Sequence, residues 1–240
     1  MNSALLKCEH LKLCYAAVAP IDFELLSGEV VALLGENGCG KSTFLKTLCG
    51  LLEPVSGTVS LLGRPLWPVS KNMWSPRERA KAVAIVRMGG VACDHMTVRE
   101  FVGLGRTPYA GLLDGRTQED ERIIDDSIAL LDLRKFANRW MTELSDGERS
   151  RVYLAQAIAQ QVKVLLLDEP NAFLDIPRSR KLFTLMQELA KAHGMGILVS
   201  THSVEYAEKY GDRIAVIEKG RFRCERSSEA RAKGLLDWTM

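Results

Sequence analysis

The sequence predicts an α/β fold with a mostly parallel core sheet, and three observations lead there. An apolar run at 30–34 passes through a glycine-rich loop into a helical pattern in which Phe44, Leu45, Leu48, Leu51 and Leu52 share a face. Strand signals return at 164–167, 197–200 and 213–217, with helical patterns between them at about 148–160 and 178–193. From 97 to 139 the spacing turns helical, with Ile123, Ile124, Ile128 and Leu131 recurring. Apolar strands alternating with helices read as a parallel sheet covered on both faces. The middle block reads as a helical insertion into that alternation.

In chain order, residues 5–34 read as short strands closing on the buried strand before the loop. Ser56-Gly57 reads as a turn and 58–62 as a further strand. Residues 63–75 carry Pro65, Pro68, Trp67 and Trp74 and read as a surface connection. A strand follows at 82–86. Leu182, Met186 and Leu189 mark the buried face of the helix at 178–193, and the tail from 227 has room for one short helix.

The chain has 240 residues, enough for one large or two small domains. It is 47% hydrophobic and 26% charged, with a formal net charge of +2, which gives no general attraction to nucleic acid or an anionic membrane. Cysteines stand at 8, 14, 39, 49, 93 and 224, none in a C-x-x-C pair, so a reducing compartment is expected rather than a disulfide framework or zinc site. The N-terminus lacks the apolar core of a signal peptide. No apolar run approaches the ~20 residues that span a bilayer. Work at a membrane would need another subunit to hold the chain there.

Gly35-Glu36-Asn37-Gly38-Cys39-Gly40-Lys41-Ser42-Thr43 fits the phosphate-loop pattern G-x-x-x-x-G-K-[ST] at every fixed position. The glycines let the backbone turn several N–H groups toward one anion. The helix N-terminus that follows adds unpaired N–H groups and a positive dipole end. Lys41 supplies a full charge for the β- and γ-phosphates, and the Ser42 hydroxyl is placed to ligate Mg²⁺.

Two acids, Asp168 and Glu169, close the apolar strand at 164–167. Neighbouring strand side chains point to opposite faces, so the pair can take two tasks. Asp168 would hold Mg²⁺ through its water shell, beside Ser42, and Glu169 would orient and deprotonate the attacking water. Phosphoryl transfer asks the protein mainly for positioning and charge stabilisation. His202 follows another apolar strand, at the sheet edge where nucleotides bind, and could hydrogen-bond the γ-phosphate and the water. His10, His95 and His193 have no such context and are expected on the surface.

Between these sites lies Leu144-Ser145-Asp146-Gly147-Glu148-Arg149, ahead of a helix with Val152, Ala155, Ile158 and Ala159 facing inward. With that segment the chain resembles the ATP-binding-cassette ATPases over essentially its whole length. Residues 35–43 match that family's Walker A, 144–148 its signature LSGGQ, 164–169 its Walker B, Leu174-Asp175 its D-loop and His202 its switch histidine, all in the family's order. Tyr15 looks like the aromatic that stacks on adenine. The resemblance implies a P-loop NTPase fold in one domain. Its RecA-like core with β subdomain would cover about 1–87 and 160–225, with N-terminal strands antiparallel. The helical subdomain would cover about 90–159, and a short tail 226–240.

The resemblance further implies ATP and Mg²⁺ as cofactors and a head-to-tail homodimer in the ATP-bound state. Each ATP would lie between one subunit's phosphate loop and the other's signature, where Ser145, the Gly147 N–H and the following helix N-terminus make a second anion site. Asp175 of the D-loop joins the cofactor-binding set. The implied partners are integral membrane permease subunits and, indirectly, a periplasmic or surface substrate-binding protein, with no nucleic acid. The implied location is the cytoplasmic face of a bacterial membrane, peripherally.

Three positions depart from the family's pattern. Asp146 replaces the first signature glycine and adds negative charge where a γ-phosphate should bind, unless its carboxylate points away. Glu148 replaces the signature glutamine. Aligned by eye, Met88 stands where the family carries the Q-loop glutamine, and no glutamine occurs between 57 and 117. A thioether is a soft donor, a poor match for Mg²⁺. The stretches Thr97-Val98-Arg99-Glu100 and Gly105-Arg106-Thr107-Pro108-Tyr109 look like the subgroup that imports metal chelates: iron–siderophore, haem and cobalamin. Two other readings stay open: a cassette acting on macromolecules outside transport, and a nucleotide-binding regulatory module with weak hydrolysis.

Overall fold

The computed structural model describes residues 4–68, 74–87, 95–111 and 115–237. The chain opens on β1 (Ala4–Lys12) and β2 (Ile21–Leu26), then passes through β3 (Val30–Gly35) into α1 (Lys41–Leu48). It returns as β4 (Ser56–Leu61), β5 (Arg64–Trp67), α2 (Pro76–Ala82) and β6 (Val83–Arg87). A helical block follows: α3 (Val98–Gly103), α4 (Gln118–Leu130) and α5 (Asp146–Ala159). The last part alternates through β7 (Val164–Asp168), α6 (Ile176–His193), β8 (Gly196–Ser200), α7 (Val204–Tyr210) and β9 (Arg213–Glu218). It ends on β10 (Arg221–Arg226) and the single turn α8 (Ser227–Ala230).

The strands form two sheets. One is antiparallel, in the order β2-β1-β4-β5. The other has six strands in the order β10-β9-β3-β8-β7-β6, parallel throughout except for the antiparallel β10 edge. An α/β class with a mostly parallel core sheet, an N-terminal antiparallel sheet and inserted helices is therefore the fold that forms.

The period of two within each core strand explains how the layers meet. On one face, Val31, Leu33, Leu166 and Leu198 join Phe44, Leu45 and Leu48 of α1 and the inner side of the antiparallel sheet. Phe44 meets Phe23 and Phe222 with ring centroids 5.8 and 5.5 Å apart, so α1 is clamped between the two sheets. On the other face, Val86, Leu165, Leu167, Ile197 and Val199 pack on α5, α6 and α7. The same apolar cluster runs on into α3 and α4 through Phe101, Ile124 and Ile128. Strands with both faces covered have no solvent side, which is why β3, β7 and β8 read as unbroken apolar runs.

Local chemistry sets the helix starts. Ser75, Thr97, Thr117 and Ser145 each close a capping box with an acid three residues on, at the N-termini of α2, α3, α4 and α5. Caps of this kind stabilise a helix by about 1 kcal/mol each. The helical block is tied internally by a buried ion pair: Arg106 Nε donates to Asp120 Oδ1 at 2.8 Å, and its Nη1 donates to the Ala159 carbonyl at 2.8 Å.

Several expectations need correction. Gly57 is not in a turn but within β4, where its φ of 93° lets the backbone approach the His10 carbonyl. Residues 63–75 are not only a connection, since β5 pairs there with β4. Helix α1 stops at Leu48, because Gly50 at φ 76° breaks the helical path, and Leu51 is exposed rather than on the buried face. Ile158 is only half-buried, whereas Tyr153, Leu154 and Ala157 are buried, because α5 is enclosed on more than one side. Met88 and Cys93 lie outside the described residues.

Candidate functional site

Strands β3, β8 and β7 are adjacent and parallel, so their C-terminal ends share one edge of the sheet. The phosphate loop, the two acids and the histidine leave from that edge. The loop 35–40 follows β3, Asp168 ends β7 with Glu169 next, and Ser200 ends β8 two residues before His202.

The loop is built on backbone that only glycine adopts comfortably. Gly35, Gly38 and Gly40 have φ of 149°, 77° and 113°. A Cβ on Gly35 would stand 2.6 Å from the Ile217 carbonyl oxygen and 2.7 Å from Cys39 Sγ. Gly40 is the residue before α1, and a Cβ there would meet Ala16 at 3.0 Å. The segment carrying Tyr15 therefore passes over the loop, and Tyr15 itself projects with 93% of its surface exposed at φ 58°. Glu36, Asn37 and Gly38 are exposed, while Cys39, Ser42 and Thr43 are half-buried. Lys41 is buried, and its Nζ donates to the carbonyls of Gly35 at 2.7 Å and Glu36 at 3.0 Å. Those bonds stretch the lysine back along the loop and hold its charge at the mouth, at the positive end of α1.

Asp168 is buried, and its two oxygens face different groups. Oδ1 accepts from Ser200 Oγ at 2.9 Å, while Oδ2 lies 3.8 Å from Arg87 Nε. The Ser200 hydroxyl also accepts from the Glu169 N–H at 2.9 Å. One serine thus fixes both acids, although nothing but a polar residue at the end of an apolar strand marked it in the sequence. Glu169 sits at φ 52°, an uncommon conformation for a side chain of that size. It directs Oε1 to His202 Nε2 at 2.7 Å. Glu169, His202, Asn171, Ala172 and Ser203 line an open cavity of about 400 Å³.

The arrangement fits the groups the sequence implies. Three glycines at positive φ, two of them where a Cβ would press on neighbouring protein atoms, with a lysine tied across the loop, make an anion seat. One carboxylate and one hydroxyl, Asp168 and Ser42, are hard oxygen donors, the few protein ligands that Mg²⁺ takes when phosphate supplies the rest.

Ser145 and Asp175 belong to the other side of the chain's chemistry. Ser145 is the N-cap of α5, its hydroxyl donating to Glu148 Oε2 at 2.7 Å while its own N–H donates to the same oxygen at 2.9 Å. Those bonds, the hydroxyl first, lower the Glu148 carboxyl below the usual range, so the residue replacing the signature glutamine serves the cap as an anion. Asp146 is exposed and pairs with Arg149 Nη1 at 3.2 Å, which offsets the charge it adds. Gly147 abuts the following loop: a Cβ there would stand 3.1 Å from the Phe173 carbonyl oxygen. Asp175 caps α6 by accepting from the Arg178 N–H at 2.9 Å. His10, His95 and His193 are exposed, as expected.

Comparison with known proteins gives concordant likenesses. Residues 18–172 match the family model described as ABC transporter. The chain is 38% identical over 205 residues to a hemin import ATP-binding protein of Shewanella denitrificans, covering 83% of this chain and 77% of the relative. It is 34% identical over 221 residues to a petrobactin import ATP-binding protein of Bacillus anthracis, covering 90% and 85%. Among solved structures, a dimeric post-hydrolysis ATP-binding cassette bound to ADP and Pi superposes with a TM-score of 0.82 at 25% identity, covering 92% of this chain and 98% of the other.

Proposed function

The chain belongs to the ABC transporter family as one of its ATP-hydrolysing cassettes, and from that premise we propose that it energises import of a metal chelate through a membrane permease. The chelate class is iron–siderophore, haem or cobalamin. Its support is the likeness to import proteins named for hemin and petrobactin, together with the segments 97–100 and 105–109. No helix among the described residues is long and apolar enough to cross a membrane. In this reading the permease is formed by other chains, with this subunit peripheral at their cytoplasmic face. A periplasmic or surface binding protein would deliver the chelate from the far side.

In this reading the 35–43 loop cradles the β- and γ-phosphates with its backbone N–H groups, and Lys41 carries the balancing charge. Tyr15 stacks on adenine. Ser42 directly and Asp168 through the water shell would hold Mg²⁺, which would supply charge neutralisation to the phosphates. Glu169 Oε1 takes the proton of the attacking water. His202 Nε2, within hydrogen-bond distance of that same oxygen, orients the carboxylate and reaches the γ-phosphate side. The 2.7 Å contact between Glu169 and His202, beside the Asp168 edge, is the observation that best supports hydrolysis over passive binding.

A second copy of the chain would complete each site. Ser145 and the Gly147 N–H begin α5, whereas Lys41 begins α1 on the opposite face of the core sheet. One chain therefore offers two half-sites, and a head-to-tail homodimer would bring the signature of one copy to the phosphate loop of the other. Glu169→Gln removes the base but keeps the shape. Size-exclusion chromatography of this variant with MgATP is expected to show a stable dimer. A variant that binds ATP and still elutes as a monomer would sink the sandwich.

A further inference from the structure

Strand β6 runs parallel to β7 in a register that sets Arg87 opposite Asp168, and β7 runs parallel to β8 in a register that sets Asp168 opposite Ser200. Arg87, Asp168 and Ser200 thus form one row at the C-terminal edge of the sheet. Register partners on neighbouring strands project to the same face. The row divides the Asp168 carboxylate: Ser200 Oγ takes Oδ1, and the Arg87 guanidinium stands 3.8 Å from Oδ2. Lys41, the cation of the phosphate loop, is occupied by the carbonyls of Gly35 and Glu36.

Oδ2, which accepts no hydrogen bond from the described residues, is the oxygen more open to a divalent cation, and it is the one Arg87 faces. The pair is a charge contact rather than a hydrogen bond, and half of the Arg87 side chain is exposed. Among the described residues its guanidinium has no other ion pair or hydrogen bond to hold it in place. We propose that Arg87 is a resident counter-charge for Asp168, standing in for the divalent cation until metal-bearing nucleotide displaces it. This rests on the nucleotide reading above and adds a role for a residue outside its motifs.

Two opposite effects follow. Without metal, a bare carboxylate at that edge would repel the phosphates, and Arg87 cancels that repulsion. With metal, Arg87 competes for the same oxygen and raises the concentration needed. Arg87→Gln keeps length and removes charge; Arg87→Lys keeps charge. Isothermal titration of the full chain with ATP in EDTA, and a Mg²⁺ titration at fixed ATP, separate the effects. Arg87→Gln is expected to weaken metal-free ATP binding and to lower the half-saturating Mg²⁺, each by about two- to fivefold, the range of an exposed ion pair. Arg87→Lys stays near wild type in both, and thermal melts that match wild type exclude a folding defect. If Arg87→Gln leaves both constants unchanged, or moves them in the same sense, the role of Arg87 is overturned. Failure of the wild type to bind ATP at all would overturn the nucleotide reading instead.

Discussion

At the scale of single residues, backbone conformation constrains the site as tightly as side-chain chemistry. Gly35 ends β3 at φ 149° with a carbonyl and a thiol closing over the place a side chain would occupy. Gly35→Ala is therefore expected to lose tight ATP binding and to destabilise the protein by about 1–3 kcal/mol, read by urea denaturation. An alanine variant of full stability and affinity would mean that the loop does not hold the conformation described. The motif residues were legible because phosphate chemistry fixes their type and spacing. Ser200 was not legible. Its hydroxyl matters only because β8 lies beside β7 in a register that sets it between Asp168 and Glu169.

At the scale of elements, the helical block is braced by the buried Arg106–Asp120 ion pair. The Thr117 N–H, at 3.0 Å from Oδ2, and the Arg106 guanidinium hold the Asp120 carboxyl at about 2. An unfolded aspartate titrates near 3.9. The folded value is the lower one, so this group's contribution is present in full above about pH 4 and is lost as pH falls toward about 2. Urea midpoints measured across that window should fall in the wild type, and the fall should be smaller in Asp120→Asn. Arg106→Met leaves the Asp120 carboxylate buried without its partner and should cost about 3–5 kcal/mol at neutral pH. A cost below 1 kcal/mol, about that of an exposed pair, would contradict the burial described. Elements with long apolar periods were readable in the sequence. Strands β5 and β10 were not, because edge strands bury little and their pairing comes from a neighbour rather than from their own pattern. Helix α2 escaped notice too, although Ser75-Pro76 with Glu78 is a start signal.

At the scale of the whole molecule, Phe173 in the loop between β7 and α6 and Ile176 at the start of α6 are 52% and 64% exposed. The same loop holds its Phe173 carbonyl against Gly147 at the start of α5. Large apolar side chains exposed beside a half-site suit a surface that a second copy covers. Phe173→Glu in the Glu169→Gln background should abolish the ATP-dependent dimer in size-exclusion chromatography while leaving monomer ATP affinity within about twofold. Retention of the dimer would place that surface outside the interface. The sequence by itself determined the fold class and the phosphate chemistry, because apolar periodicity selects layers and an anion seat requires glycines, lysine and hydroxyl at fixed spacing. Only the tertiary structure decided how the polar groups at the sheet edge are shared: Ser200 with one oxygen of Asp168, Arg87 with the other, His202 with Glu169. The physical reason is that hydrogen bonds and ion pairs act over a few ångströms, and which residues come that close is set by strand order and register, which join segments far apart in the chain.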